Sequence, residues 1–243
     1  MKTTNNTTIG EIVANDFRTA AIFSKYNIDF CCKGHRTLQE VCKKRDIEEY
    51  LLIEELDRAQ NNSANQSFDY KSWPLDLLTD YIEKTHHRYI EEKTPVLRRF
   101  LNKLCSVHGK AHPELFEINT IFNDSASDLT AHIKKEEQNL FPFIKKIKVA
   151  QTKGLFLEMP HFGTIENQVV LMKEEHETEG QRFKKIATLT NNYTPPADAC
   201  NTYKVTFAML EEFERDLRKH IHMENNILFP KAIALEKNFD KVP

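Results

Sequence analysis

The sequence predicts an all-α protein in which a small helical N-terminal domain precedes a C-terminal antiparallel four-helix bundle. Only 6 of the 243 residues are glycine, and long stretches are rich in Glu, Lys, Leu and Ala, which favours helix over sheet. Four long helical patterns lie at about 74–106, 114–149, 161–190 and 197–236. Glycine, proline or asparagine residues, which stop and start helices, separate them. Long helices with short connections are typical of such a bundle.

A polar stretch separates the bundle from the N-terminal block. The seven residues that begin at Asn61 read Asn-Asn-Ser-Ala-Asn-Gln-Ser, and a run without apolar periodicity is typical of a linker. The residues from about Thr8 to Gln60 show short helical patterns. We therefore predict a small helical domain at 1–60, a linker at 61–73 and the bundle at 74–243.

The bulk properties predict a cytoplasmic protein. A net charge of −2 without a basic excess argues against a nucleic-acid partner. The N-terminus lacks the apolar core of a secretory signal, and no run reaches the roughly 18 apolar residues that span a bilayer. The five cysteines form an odd set at irregular spacing, which fits a reducing compartment better than a disulfide framework.

The bundle sequence contains a repeated motif. The segment that begins at His132 reads HIKKEEQNLFP, and the segment that begins at His220, 88 residues later, reads HIHMENNILFP. The two copies share His, Ile, Glu and Leu-Phe-Pro at matching positions. Another histidine precedes each copy, His87 by 45 residues and His176 by 44 residues. The repeat predicts two similar half-sites that face each other across the bundle.

Each copy of the motif presents an imidazole and a carboxylate to one face of a helix. His132 and Glu136 are four residues apart and therefore share a face. The same spacing joins His220 to Glu224. Apolar residues occupy these faces and the face of His176, so we expect all five side chains to point into the core.

A buried carboxylate needs compensation, because leaving water costs an isolated charge many kcal/mol. The apolar stripes that carry Glu136 and Glu224 contain no Lys or Arg. One His-x-x-x-Glu motif on a helix is weak evidence for a metal site. Two copies on core faces with matched upstream histidines indicate bound metal ions.

The number of candidate ligands predicts two metals. Four histidines and two glutamates exceed the four ligands of a tetrahedral zinc. If both glutamates bridge, each metal has two histidines and two carboxylate oxygens. The glutamates offset two of the four positive charges, so we expect a bridging oxide or hydroxide. Mixed imidazole and carboxylate ligation inside a bundle favours iron or manganese, and we predict two non-haem iron ions.

The first histidine ligand is either His86 or His87. The apolar pattern that includes Ile82 leads to His86, whereas the pattern that includes Ile90 leads back to His87. Neighbouring residues lie about 100° apart on a helix. We therefore expect only one of the two imidazoles to face the core.

These motifs resemble the iron–sulfur cluster repair di-iron proteins, also called the repair of iron centres family, which have a hemerythrin-like domain. The resemblance covers nearly the whole chain. Its C-terminal motifs are His132-x3-Glu136-Glu137-Gln138-x-Leu-Phe-Pro, Glu175-His176-x3-Gly180 and His220-x3-Glu224-Asn225-Asn226-x-Leu-Phe-Pro. The N-terminal block resembles the family's small leading domain through Ile9-Gly10-Glu11 and the segment Tyr26-Asn27-Ile28-Asp29-Phe30-Cys31-Cys32-x-Gly34.

The resemblance implies a ligand set and a function. The implied ligands are His87, His132, Glu136, His176, His220 and Glu224. His87 is favoured because the family's first ligand stands eight residues before a proline, here Pro95. The implied role is a stress response, the restoration of iron–sulfur proteins after oxidative or nitrosative damage, by iron donation or by nitric oxide chemistry at the di-iron centre. Whether that chemistry makes the protein an enzyme stays open.

One alternative function belongs to a different class. A hemerythrin-like protein could bind or sense dioxygen or nitric oxide without turnover. Under the main interpretation the partners are damaged iron–sulfur proteins, with the same gases as small ligands, and we expect no membrane partner. The N-terminal block could deliver thiols, dock a partner or mediate homodimerisation.

Cys31 and Cys32 have two interpretations. They are either small residues at a helix break or a thiol pair with a redox or iron-transfer role. Lys33 and His35 would lower a thiol pKa if they lay close to it.

We also predict the surroundings of three other residues. Glu137 and Glu175 are candidates for hydrogen bonds to metal ligands, with a solvated helix face as the alternative. His222, two residues from His220, should point nearly opposite to it and face solvent.

Overall fold

The computed structural model describes residues 6–61, 68–158 and 160–239. Within these ranges the regular structure is helical, and the one extended pairing is an isolated antiparallel bridge between Thr8 and Thr37. The all-α prediction is therefore confirmed. Within these ranges, none of the helices combines the length and the hydropathy that a membrane span requires. Linker residues 62–67 lie outside the described residues, and the predicted domain boundaries stay a prediction.

The N-terminal part consists of short helices, two of which begin with a capping box. They are α1 (Ile9–Asn15), α2 (Ala20–Lys25), α3 (Leu38–Arg45) and α4 (Glu49–Asn61), with 3₁₀ turns at Phe17–Thr19 and Tyr70–Ser72. The side chains of Thr8 and Glu11 form a capping box at the start of α1. Thr37 and Glu40 form a second one at the start of α3. Each box satisfies backbone N–H groups that the first helical turn leaves without partners.

The C-terminal part consists of four long helical runs. Its α-helices are α5 (Leu75–Tyr81), α6 (Arg88–His108), α7 (Glu114–Lys135), α8 (Phe141–Lys153), α9 (Ile165–Leu189), α10 (Asn201–Met223) and α11 (Phe229–Phe239). Three π-helical segments join consecutive helices at Ile82–His87, Glu136–Leu140 and Glu224–Leu228. The resulting runs, 75–108, 114–153, 165–189 and 201–239, agree with the predicted patterns within four residues at each end.

The chain forms two compact units. Unit 1 comprises Met1–Leu78 and Ile221–Pro243, and unit 2 comprises Thr79–His220. The fourth helical run therefore begins in unit 2 and continues into unit 1 after His220.

The core of unit 2 contains an aromatic cluster to which each long helical run contributes. The ring of Phe213 on α10 stacks on Phe183 of α9, with centroids 5.5 Å apart. Phe122 of α7 meets Phe213 edge-on at 5.5 Å, and Tyr89 of α6 lies 6.0 Å from the same ring. Such contacts add to the stabilisation that apolar burial provides.

In unit 1, the N-terminal helices pack on the end of the fourth helical run. The Asn226 side chain donates to the backbone oxygens of Phe30 and Cys31, at 3.3 and 3.2 Å. The rings of Phe17 and Phe30 lie 5.9 and 5.7 Å from the ring of His222.

The expectation that His222 faces solvent was wrong, because Phe17 and Phe30 cover its ring and leave it only 1% exposed. Burial lowers the pKa of His222 to about 3, so its imidazole is neutral at pH 7.

Gly34 lies in this packed region, where neighbouring atoms leave no space for a side chain. A β-carbon at Gly34 would lie 2.7 Å from the backbone oxygen of Phe30 and 2.7 Å from Oδ1 of Asn226. We expect Gly34→Ala to lower the free energy of unfolding by about 1–3 kcal/mol, because a backbone oxygen cannot move aside freely. Urea denaturation would measure the change.

The matched control for this substitution is Ser24→Ala at an exposed position of α2. Its effect should stay within about 0.5 kcal/mol. Equal stabilities for Gly34→Ala and the parent chain would contradict the described packing.

Candidate metal centre

Two of the predicted ligand positions coincide with π-helical segments in unit 2. One segment ends at His87, and another begins at Glu136. The second segment precedes Pro142, which has no N–H group to donate to the carbonyl oxygen four residues earlier. The Leu-Phe-Pro part of the repeated motif therefore accounts for the local change in hydrogen bonding. Such segments occur frequently at functional sites.

Four of the predicted histidines form two close pairs in unit 2. The Nε2 atoms of His132 and His176 are 3.0 Å apart, and those of His87 and His220 are 3.2 Å apart. All four side chains are buried. Each pair combines one histidine from the first repeat with one from the second, so neither repeat forms a pair by itself.

Glu136 lies between the two imidazole pairs. Its Oε2 atom is 3.4 Å from Nε2 of His87 and 3.5 Å from Nε2 of His132. Its side chain is completely buried. The ligand atoms of His87, Glu136 and His220 lie within 4.8 Å of one another, as do those of His132, Glu136 and His176. One carboxylate can therefore reach a cation at either pair.

Two further carboxylates orient the histidines. Nδ1 of His132 is 2.7 Å from Oε2 of Glu175, and Nδ1 of His87 is 2.9 Å from Oε1 of Glu137. An imidazole that donates its Nδ1 proton to a carboxylate keeps the Nε2 lone pair for a metal. Glu137 and Glu175 thus contact two of the candidate ligands.

The charge of Glu175 depends on its neighbours. The hydrogen bond with His132 is the largest cause that holds the pKa of Glu175 down to about 2, and Lys135 contributes in the same direction, whereas burial opposes both. Glu175 is therefore ionised at neutral pH, which strengthens its interaction with the Nδ1 proton of His132.

The structure separates the roles of His86 and His87. His87 joins His220 and Glu136, as described above, whereas Nδ1 of His86 lies 3.0 Å from both carboxylate oxygens of Asp216. The expectation that only one of the two imidazoles faces the core was wrong, because both are buried. Asp216 supplies a polar partner for the second ring. Its position four residues before His220 was the sequence signal for it.

Glu224 and the cysteine pair lie in unit 1. Glu224 follows His220 by about one helical turn, begins the third π-helical segment and is fully buried. Its role as a ligand stays a prediction. In unit 1 the Sγ atoms of Cys31 and Cys32 are 3.8 Å apart, with Cys31 buried and Cys32 partly exposed.

Comparison with protein families gives two matches. A family model for the hemerythrin HHE cation binding domain matches residues 78–232. A model for a domain of unknown function, DUF542 or ScdA_N, matches residues 5–60.

Individual relatives match over nearly the full length. The iron–sulfur cluster repair protein YtfE of Musicola paradisiaca (strain Ech703) is 34% identical over 94% of this chain and 96% of its own. The iron–sulfur cluster repair protein ScdA of Staphylococcus haemolyticus (strain JCSC1435) is 29% identical, over 94% and 98%. The iron–sulfur cluster repair protein YtfE of Shigella boydii serotype 4 (strain Sb227) is 31% identical, over 94% and 97%.

The contacts of Glu175 with His132 and of Glu137 with His87 can be tested by substitution. Glu175→Gln and Glu137→Gln should each weaken Fe²⁺ binding by about 10–100-fold, because a neutral amide makes the imidazole a poorer ligand. Competition titration against a chelator would measure the affinities. The control is Glu174→Gln, at an exposed position of α9, which should leave the affinity unchanged. Equal losses in all three variants would mean that general surface charge, and not these contacts, controls binding.

Proposed function

This chain belongs to the family of iron–sulfur cluster repair proteins and contains a hemerythrin HHE cation-binding domain, and we propose that it repairs iron–sulfur clusters with a di-iron centre held in its bundle. The proposal rests on one observation. Two pairs of imidazoles lie on either side of the Glu136 carboxylate, which approaches one ring of each pair. The proposed ligands are His87, His132, Glu136, His176, His220 and Glu224.

The spacing within each imidazole pair suits one metal ion. Two nitrogen ligands at right angles on one ion, each at roughly 2.1 Å, lie about 3.0 Å apart. The observed Nε2 separations are 3.0 Å for His132 with His176 and 3.2 Å for His87 with His220. Each pair can thus serve as two neighbouring ligands of a single ion. Two pairs then correspond to two ions.

The carboxylates of the site offset part of the positive charge. Glu136 approaches one nitrogen of each pair at 3.4 and 3.5 Å, as a bridging ligand would. We assign the corresponding role in the second repeat to Glu224, which is buried about one turn after His220. Two bridging carboxylates leave two of the four charges of a pair of divalent ions; an oxide bridge would offset both of these, and a hydroxide bridge one.

The chemistry of the donors favours iron, because imidazole and carboxylate ligands inside a helical bundle are typical of di-iron and di-manganese proteins. Two iron ions would supply redox chemistry and positions for small ligands. The protein contributes buried nitrogen lone pairs, which Glu137 and Glu175 keep pointed at the ions by accepting the opposite ring protons. Burial of the four histidines also limits the access of water.

The names of the relatives supply the partner class. They are iron–sulfur cluster repair proteins, and we therefore propose damaged iron–sulfur proteins as the partners of this chain. Nitric oxide and dioxygen are the proposed small ligands.

The two adjacent histidines provide a matched test of the metal site. We expect the parent chain to hold about two irons and His87→Gln to lose at least half of them, because His87 shares a pair with His220. His86→Gln should keep both, because His86 contacts Asp216 instead. Iron analysis of anaerobically loaded, desalted protein would measure the content. Equal iron losses in the two variants would overturn the assignment of His87.

Repair activity can be tested separately from metal binding. Iron-loaded parent protein should reactivate an enzyme whose [4Fe–4S] cluster has been damaged by nitric oxide, whereas His132→Gln should lose most of this activity. His132 contacts both His176 and Glu136, so its loss removes a ligand near the shared carboxylate. The readout is the recovered activity of the damaged enzyme.

The same experiment discriminates against the alternative function. A loaded chain that binds nitric oxide reversibly but restores no enzyme would support a gas-binding or sensing protein and contradict repair. The His86→Gln variant, with its metals retained, is the control for unspecific effects of substitution.

A further inference from the structure

Unit 1 contains a second group of potential metal ligands that the di-iron proposal does not use. Asp29, Cys31 and Cys32 each offer one ligand atom, and these three atoms lie within 4.8 Å of one another. Cys31 is buried, whereas Asp29 and Cys32 are partly exposed. An ion at this position could therefore exchange with solvent through the side of Cys32.

The distances in this group match the edges of a tetrahedral site. Two thiolates on one ion, each at roughly 2.3 Å, lie about 3.8 Å apart in a tetrahedron. The Sγ atoms of Cys31 and Cys32 are 3.8 Å apart. A thiolate and a carboxylate oxygen on the same ion would lie about 3.5 Å apart, and Sγ of Cys31 is 3.3 Å from Oδ1 of Asp29.

The backbone around the thiols is fixed in place. Oδ1 of Asp29 accepts the N–H groups of Cys31 and Cys32, at 3.1 and 3.0 Å. The side chains of Asn225 and Asn226 donate to the carbonyl oxygen of Cys31, at 3.3 and 3.2 Å. Because the N–H and C=O groups of Cys31 both have hydrogen-bond partners, holding its thiol beside that of Cys32 costs little conformational entropy.

Positive charge lies close to the group. The guanidinium of Arg36 donates to the backbone oxygens of Lys33 and Asp29, at 3.2 and 3.3 Å. Two thiolates and one carboxylate carry three negative charges, so a divalent ion leaves one. The Arg36 guanidinium, which contacts the backbone of Asp29, supplies positive charge beside the same segment.

We propose that Asp29, Cys31 and Cys32 bind one thiophilic divalent cation, such as Zn²⁺ or Fe²⁺, with the fourth position open to solvent. On binding, each thiol forms a sulfur–metal bond and releases its proton to water. The carboxylate binds as the anion, and no group changes its oxidation state. This proposal stands independently of the di-iron centre, because it uses none of the same ligands.

A purely structural role for Asp29 is the competing explanation. Its carboxylate could act only as a cap for the two N–H groups and as an acceptor for the Cys31 thiol. Asp29→Asn separates the two roles, because the amide oxygen of asparagine can still accept both N–H groups. It removes the anionic ligand while keeping the turn.

Titration of the iron-loaded, desalted full-length protein with Co²⁺ under reducing, anaerobic conditions would test the site, because iron then already occupies the bundle ligands. Thiolate-to-cobalt charge-transfer absorption reports only sulfur ligands, so cobalt bound by imidazole and carboxylate does not contribute. We expect this absorption to saturate at one equivalent per chain and to disappear in Cys31→Ser and Cys32→Ser. Asp29→Asn should weaken the affinity by at least 10-fold. Cys200→Ser, which changes an exposed cysteine, should match the parent chain.

Several outcomes would overturn the proposal. These are an absent charge-transfer band in the parent chain, a band that survives the double Cys31→Ser/Cys32→Ser substitution, or an unchanged affinity in Asp29→Asn. Protection of Cys31 and Cys32 from alkylation by Zn²⁺, measured by mass spectrometry on the parent chain, gives a readout that needs no variant to fold. No protection at one equivalent of Zn²⁺ added to the iron-loaded chain would also contradict the site.

Two variants distinguish a failure of the thiol site from a failure of the di-iron proposal. His132→Gln should lose iron from the bundle and keep the thiolate-to-cobalt absorption, whereas Cys32→Ser should lose the absorption and keep the iron. Loss of both signals in Cys32→Ser would mean that the two groups are not independent, which would overturn the proposal as stated.

Discussion

The burial of the Glu136 carboxylate between two pairs of imidazoles is the constraint on which the rest of the site depends. A buried carboxylate costs many kcal/mol unless its charge is compensated. In this chain the Nδ1 atoms of His87 and His132 face Glu137 and Glu175. The Nε2 atoms of the same two rings lie 3.4 and 3.5 Å from Oε2 of Glu136. A bound cation would compensate the charge of this donor set, in agreement with the cation binding domain that the family model describes.

The repeated motif specifies this geometry through its local chemistry. Each copy ends in Leu-Phe-Pro, and the proline removes an N–H group from the helical ladder. In both copies a π-helical segment precedes that proline and begins at the glutamate. The histidine pairs then form between the copies, His87 with His220 and His132 with His176. The duplicated sequence therefore makes each half dependent on the other, because a single copy would supply only half of each pair.

Much of the fold and of the bundle site follows from the sequence, and what does not follow has a common cause. Helix limits depend on local signals such as the capping boxes, and the ligand faces depend on four-residue spacing. Two predictions of exposure were wrong, because they considered one helix alone and not the elements that pack against it. His86 is buried with a polar partner, because Nδ1 of its ring lies 3.0 Å from the carboxylate of Asp216, which is distant in sequence. His222 is buried because Phe17 and Phe30 cover it. Periodicity shows which residues share a face, but only tertiary packing shows how many faces are covered.

The two ligand groups differ in the ions that they would select. Imidazole and carboxylate donors suit iron or manganese, whereas two thiolates favour softer, thiophilic ions. A chain with both proposed sites could therefore hold iron in the bundle while a different ion occupied Asp29, Cys31 and Cys32. Burial strengthens this separation, since the four histidines are enclosed and Cys32 is partly exposed. Metal exchange with solvent should be slow for ions bound by buried histidines and fast for an ion with an open coordination position. The thiol group is thus better suited to the transient handling of a metal ion, and the bundle to its retention.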